Sequence, residues 1–358
     1  MFTKLTKELD RYVVEMGVPF LDCIVMKEGK EVYRYWNGYT DIMKTQKVTG
    51  KELYYIYSCS KLITCVAALQ LWEKGMFKLD DKLSDYLPEF KEMTVKKGDE
   101  IAPAQNPILI WHLFTMTAGY SYRLDPPQIV KCWKETNGEC PTRELIRYLA
   151  KEPLIFEPGE RWEYSLCHDI LAALVEELSG VTFGEYVKKN IFDPLNMENS
   201  TFLVDNKDLD KIVTQFEFAE GKGVYEVEKL IPFKFGSKYE SGGAGCISTV
   251  EDYIKFLEAL RVGDVILKKE TIDLLATHQL TEEQMKTYDV PDYGYGLGQK
   301  CPKDDKMSDF GWGGAAGSYY AIDRKNDITV FLATHILALQ TYQRTREQIL
   351  PIIQEILK

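Results

Sequence analysis

The sequence predicts an α/β chain of the α+β kind: a mostly antiparallel sheet flanked by terminal helices, with a helical region inserted. Three observations predict it. Hairpin signals stand near both chain ends, helical periodicity opens and closes the chain, and the middle third carries helical segments interrupted by proline and glycine. With 358 residues the chain can build a sizeable core, and roughly 150 residues per domain gives a prior of two. We expect a discontinuous sheet part at 1–75 and 235–358, and a mainly helical part at 76–234.

Residues 3–16 have helical spacing. The runs Phe20 to Met26 and Glu31 to Trp36 flank Lys27-Glu28-Gly29-Lys30, which reads as a β-hairpin. From Ser58 to Lys74 a strongly apolar helical pattern predicts a helix buried on most faces, ended by Gly75, a residue suited to the left-handed conformation past a helix. Segments 108–116, 143–150 and 167–178 read as helices, broken by Asp125-Pro126-Pro127, Glu157-Pro158-Gly159 and Asp193-Pro194. A second hairpin is expected at 214–228 around Glu220-Gly221-Lys222-Gly223. A third, Ser318 to Asp323 with Ile328 to Thr334, precedes a closing helix at 341–357.

Composition narrows the function. Apolar residues make up 45% and charged ones 28%, ordinary for a soluble globular chain and too apolar for disorder. The net charge of -11 has the wrong sign for binding a phosphate backbone, so nucleic acid is not expected as a partner. No apolar run reaches the length of a membrane span or a signal-peptide core, which predicts a cytoplasmic protein without a membrane partner. Eight scattered cysteines without C-x-x-C spacing read as reduced, mostly buried thiols. The four histidines form no local ligand pair, so neither a metal nor another cofactor is expected.

The first chemical candidate is Ser58-Cys59-Ser60-Lys61, an S-x-x-K where a buried helix begins. Spacing i, i+3 puts hydroxyl and ammonium on one helical face, and the positive end of the helix favours negative charge developing beside Ser58. The plain alternative is that Ser58 only caps the helix. The neighbouring sequence decides between them. Tyr54-Tyr55-Ile56-Tyr57-Ser58-Cys59-Ser60-Lys61 resembles the nucleophile segment of the serine β-lactamase-like, penicillin-binding-protein-like superfamily, especially class C enzymes and their family VIII carboxylesterase branch. Further similar stretches follow in order at 78–88, 110–119, 157–165 and 192–197, so the resemblance covers nearly the whole chain.

That resemblance implies a β-lactamase/transpeptidase-like architecture and catalysis by Ser58, Lys61 and Tyr164 through a covalent acyl-enzyme. Tyr164-Ser165-Leu166 keeps the tyrosine of the family's Y-x-N and loses the amide, while Tyr164 to Asp169 matches a Y-S-x-x-x-D variant, with Asp169 steadying the substrate-binding wall near Tyr164. Which of Lys61 and Tyr164 takes the serine proton stays open in the sequence. Trp312-Gly313-Gly314 stands where the family places K-T-G, H-x-G or W-G-G, and the N–H groups of Ser58 and Ala315 would form the oxyanion hole. Gly311-Trp312-Gly313 also loosely fits a dinucleotide fingerprint, but a predicted strand follows it where that motif needs a helix.

An indole and a glycine replace the Lys and Thr that hold a substrate carboxylate in penicillin-recognising relatives. Losing that charge-assisted bond, roughly 1.5–3 kcal/mol, predicts neutral esters as substrates. Tyr295, in Tyr293-Gly294-Tyr295-Gly296, is expected beneath the acyl group. The implied partner is a small-molecule ester or amide. The leading expectation is a carboxylesterase with weak or no β-lactamase activity. A β-lactamase or D-amino-acid peptidase is the enzymatic alternative, and a non-catalytic penicillin-recognising protein, favoured by the missing Asn, is the other.

Overall fold

Both chain ends feed one seven-stranded antiparallel sheet in the computed structural model, which describes residues 1–203, 206–229 and 234–358. Its strands are β1 (Phe20–Lys27), β2 (Lys30–Gly38), β3 (Gly294–Tyr295), β4 (Lys300–Cys301), β5 (Asp309–Gly313), β6 (Tyr319–Asp323) and β7 (Ile328–Ala333). They lie in the order β2-β1-β7-β6-β5-β4-β3. The first and third predicted hairpins are thus neighbours, with β1 paired to β7 from Asp22 opposite Ala333 to Lys27 opposite Ile328. The glycine-rich stretch expected only to precede a strand is itself strand β5, paired with β6 from Asp309 opposite Asp323 to Gly313 opposite Tyr319.

Five helices position the site: α1 (Thr3–Val14), α2 (Ser60–Glu73), α3 (Cys167–Ser179), α4 (Val250–Val262) and α5 (Ile349–Ile356). Side chains alternate across a strand, so the register puts Ile24, Phe331 and Tyr320 on one face of the sheet. There Tyr253 of α4 meets Phe331 and Tyr320 at centroid distances of 4.6 and 6.0 Å. The other face carries Tyr33 and Tyr35 against α1, where Phe2 meets Tyr33 and Asp10 accepts from the Tyr35 hydroxyl. Helix α1 buries Leu5, Leu9 and Tyr12, an i, i+4, i+7 stripe, and Lys4 pairs with Glu355 of α5.

Helix α2 is buried from Ser60 through Leu69, as an apolar pattern without a polar face requires, and it packs against α3. It ends at Gly75 with φ +72°. The inserted region contains helices at Ile110–Phe114 and Thr142–Leu149 besides α3, the first within its predicted segment and the other two each one residue beyond theirs. It also holds a helix at Pro127–Glu135 where the proline pair suggested a break. Pro127 occupies the first helical position, where its missing N–H costs nothing. The hairpin Gln215–Ala219 with Gly223–Val227 forms as expected, but it joins Ile336–Leu337 in a separate three-stranded sheet.

The closing helix departs from expectation. It divides into Gln340–Gln343, a 3-10 turn at Arg346–Gln348, and α5. Pro351 has no N–H to give the Glu347 carbonyl and its ring would clash there, so a continuous helix through this point is barred, while the first turn of a new one tolerates it. All eight cysteines are free and buried. Among the described residues no helix is long and apolar enough to cross a membrane, and no cluster of three or more metal-ligating side chains occurs.

Candidate active site

Ser58 lies in a 3-10 turn, Tyr57–Cys59, that runs directly into α2. Tyr57 has φ +48°, a left-handed conformation that costs a bulky L residue about 1–2 kcal/mol. Surrounding contacts hold it there. The buried Tyr57 hydroxyl donates to Gln215 Oε1 at 2.5 Å, Ile56 N–H donates to the Cys246 carbonyl, and the Ser318 hydroxyl donates to the Ile56 carbonyl at 3.1 Å. The turn opens on a cleft of about 380 Å³ whose wall includes Ser58, Tyr164, Trp312, Gly313, Gly314 and Ala315.

Lys61, one helical turn beyond Ser58, is only 1% exposed. A buried ammonium is tolerable only when its three N–H groups find acceptors. Lys61 Nζ donates to the Gly243 carbonyl at 2.7 Å, to Ser58 Oγ at 3.3 Å and to Tyr122 Oη at 3.3 Å. It also lies over two rings, 4.6 Å from the Tyr164 centroid and 4.9 Å from that of Tyr122. Tyr164 comes from the inserted region, and its Oη stands 2.7 Å from Ser58 Oγ. Trp312 Nε1 donates to the same phenol oxygen at 3.4 Å, and the Tyr164 ring is stacked between Tyr122 and Trp312 at 5.0 and 5.8 Å. Lys61 and Tyr164 therefore converge on the Ser58 hydroxyl, with Trp312 holding the phenol from a third stretch.

Two residues expected at the substrate stand behind the wall instead. Tyr295 is fully buried, edge-on to Trp312 and Trp162 at 5.7 Å each, because the short β3 strand turns it into the aromatic cluster beneath the cleft. It supports Trp312 and does not line the cleft. Asp169, in the first turn of α3, is buried and accepts from Tyr239 Oη at 2.6 Å, Ser241 Oγ at 2.7 Å and Gly243 N–H at 3.3 Å. Because the Gly243 carbonyl is the shortest partner of Lys61, Asp169 acts on the ammonium through the 241–243 loop and does not touch Tyr164 or the cleft.

The sequence reading missed Tyr122, Gln343, Arg346 and Lys300. Tyr122 accepts from Lys61 across 61 positions of chain, and no spacing rule connects them. Burial pushes its phenol well above the ordinary range, with the charges of Tyr164 and Asp169 adding to the effect, so it stays neutral. Gln343 Nε2 and Arg346 Nη1 donate to the carbonyls of Ala315 and Gly314, each at 2.8 Å, and brace the end of β5. The cleft wall holds no histidine, and buried His168 behind it is kept neutral by burial and by the Lys61 charge.

Gly314 closes the site sterically. A Cβ there would lie 2.2 Å from Ser318 Oγ and 2.5 Å from the Ile56 carbonyl, both of which hold the Ser58 turn. We expect Gly314→Ala to cost about 1–3 kcal/mol in denaturant unfolding through overpacking. It should also lower kcat by roughly 10- to 100-fold, because the turn and the strand end are forced apart. Steady-state kinetics with a denaturation curve test both, and unchanged kcat would show that the spacing is not critical.

The β-lactamase family model matches this chain over residues 7–352. The chain belongs to the β-lactamase family. As a member it is a serine hydrolase, and its architecture is the β-lactamase/transpeptidase-like fold. Among curated relatives, the lovastatin esterase of Penicillium rubens is 28% identical over 86% of this chain and 86% of its own length. The esterase EstB of Burkholderia gladioli is 26% identical over 87% and 84%. Among solved structures, EstCE1, described as a hydrolase with promiscuous acyltransferase activity, superposes with a TM-score of 0.79. It covers 97% of both chains at 24% identity, a likeness of fold alone.

Proposed function

We propose that this β-lactamase-family protein is a carboxylesterase that cleaves small esters through an acyl-enzyme on Ser58, with weak or no β-lactamase activity. The observation that carries the reading is the Ser58 hydroxyl in the cleft wall, 2.7 Å from the Tyr164 phenol and 3.3 Å from the Lys61 ammonium. Ser58 Oγ attacks the ester carbonyl while its proton passes to Tyr164 Oη, which serves in this step as the phenolate beside the Lys61 ammonium. The tetrahedral oxyanion takes hydrogen bonds from the N–H groups of Ser58 and Ala315, an arrangement worth about 3 kcal/mol or more. Collapse expels the alkoxide, which takes the proton back from Tyr164, and water attacks the acylated Ser58 in the same way.

The three N–H groups of Lys61 all meet acceptors, which supports its role as a fixed ammonium and leaves Tyr164 as the proton carrier. Two curated relatives of similar length are esterases, which supports ester over lactam. The test is a short p-nitrophenyl ester followed by steady-state kinetics and by intact-mass spectra under quenched turnover. Expected is an adduct of acyl mass that localises to Ser58. Faster turnover of a chromogenic cephalosporin would shift the assignment to a β-lactamase, and no adduct on a folded protein would favour a non-catalytic one.

A further inference from the structure

We propose that Gln215 is a positioning residue for the reaction: through the Tyr57 hydroxyl it holds the turn that aims Ser58 Oγ at Tyr164. The proposal rests on the acyl-enzyme reading above and deepens it, naming a residue behind the cleft on which the rate depends. Gln215 opens the hairpin of the separate three-stranded sheet, and both it and Tyr57 stand behind the cleft wall rather than in it. Its Oε1 accepts from Tyr57 Oη at 2.5 Å, so it grips the residue just before the nucleophile.

The backbone of Tyr57 gives that grip its purpose. A bulky L residue at φ +48° persists only where its surroundings over-determine it, and such residues gather at sites whose geometry matters. Other contacts hold its neighbours: Ile56 N–H on the Cys246 carbonyl, Ser318 Oγ on the Ile56 carbonyl, Tyr253 Oη on the Cys59 carbonyl at 2.8 Å, and Cys246 N–H on Ser60 Oγ at 3.0 Å. The bond to Gln215 is made by the strained residue itself. Both partners are buried, where an unpaired phenol or amide is strongly disfavoured. Burial pushes the Tyr57 phenol well above the ordinary tyrosine range, which keeps it a donor. Gln215 Nε2 donates to the Glu228 carbonyl at 3.4 Å, which turns Oε1 towards that phenol.

Gln215 is also tied to the far side of the site. Phe216 N–H donates to the His335 carbonyl at 2.8 Å, Ile336 lies opposite Phe216 in parallel pairing, and Ile336 N–H donates to the Ala316 carbonyl at 3.0 Å. The Tyr57 ring shares a small apolar cluster with Ala316, Ile212 and Ile247, against which Ala315 packs. A closed circuit thus runs from Ser58 through Tyr57, Gln215 and Ile336 to Ala315, joining the two residues whose N–H groups are proposed to hold the oxyanion. Loosening it at Gln215 should shift Ser58 Oγ and its N–H together, which the transition state feels more than the bound ester does.

The test follows a short p-nitrophenyl ester through Gln215→Met, which keeps the bulk and removes the acceptor, and Tyr57→Phe, which keeps the ring in its cluster and removes the donor. Each should lower kcat by roughly 10- to 100-fold while KM stays within about twofold of wild type. The double variant should fall at most about threefold below the worse single one, because both substitutions break the same bond. Gln215→Glu keeps an acceptor for the phenol and should recover most of the loss, a rescue that a general packing role would not give. Denaturation curves accompany every variant, and Tyr57→Phe guards against a folding defect in Gln215→Met. A folded single variant with kcat within about threefold of wild type, whatever its stability, would overturn the proposal and leave Gln215 a structural role alone. Single losses that multiply in the double variant would overturn it as well, and in both cases the esterase stands. Absence of Ser58-dependent turnover in the wild type would sink the underlying reading and this proposal with it.

Discussion

Ser58→Ala lowers kcat/KM for a short p-nitrophenyl ester by roughly 10⁴-fold or more, the largest effect expected of any single substitution here. The cleft wall offers no second nucleophile of comparable reach. The nearest thiol, Cys59, is fully buried beside Ser318, and burial pushes it up to about 11, so it supplies little thiolate at neutral pH. Tyr164 remains in the variant, but its geometry aims it at the missing oxygen. The variant should fold, since the lost hydroxyl lies in the cleft wall, outside the packed core. Substrate affinity should survive, because the β5 end that lines the cleft is untouched, and the acyl-mass adduct should vanish from quenched spectra. A folded variant that still hydrolyses the ester within about 100-fold of wild type, or an adduct on another residue, would remove Ser58 from the centre of the chemistry.

What the sequence made legible was the local part of this arrangement. Ser58 and Lys61 are one helical turn apart, so their meeting needs no knowledge of the rest of the fold. The hairpins at 20–38 and 319–333 show themselves by alternation and turn residues. Strand β5 does not, because the two glycines of Phe310-Gly311-Trp312-Gly313 offset the strand preference of its phenylalanine and tryptophan. Its conformation is imposed by β6 on one side and β4 on the other. Tyr122 and Arg346 escaped notice for a related reason. Each takes up its place only when chain closure sets a residue of no distinctive spacing beside Lys61 or Gly313. The turn bearing Arg346 follows from Pro351, a residue that was visible but was read as part of a continuous helix.

Tyr164→Phe and Lys61→Ala should each lower kcat by more than roughly 100-fold, yet for different reasons. The phenylalanine keeps the ring between Tyr122 and Trp312 and removes only the oxygen that stands 2.7 Å from Ser58, so KM should change little and folding should be unaffected. Lys61→Ala removes the donor shared by Ser58, Tyr122 and the Gly243 carbonyl, and with it the cation over the Tyr164 ring. It should therefore cost stability as well, because buried acceptors lose their partner. If the two side chains form one proton-transfer unit, the double variant falls little further than the worse single one. Rates that multiply instead would mean that Lys61 and Tyr164 serve separate steps. Wild-type-like kcat in Tyr164→Phe would hand the proton to Lys61, which would then have to reach Ser58 as a neutral amine with one of its three present hydrogen bonds given up.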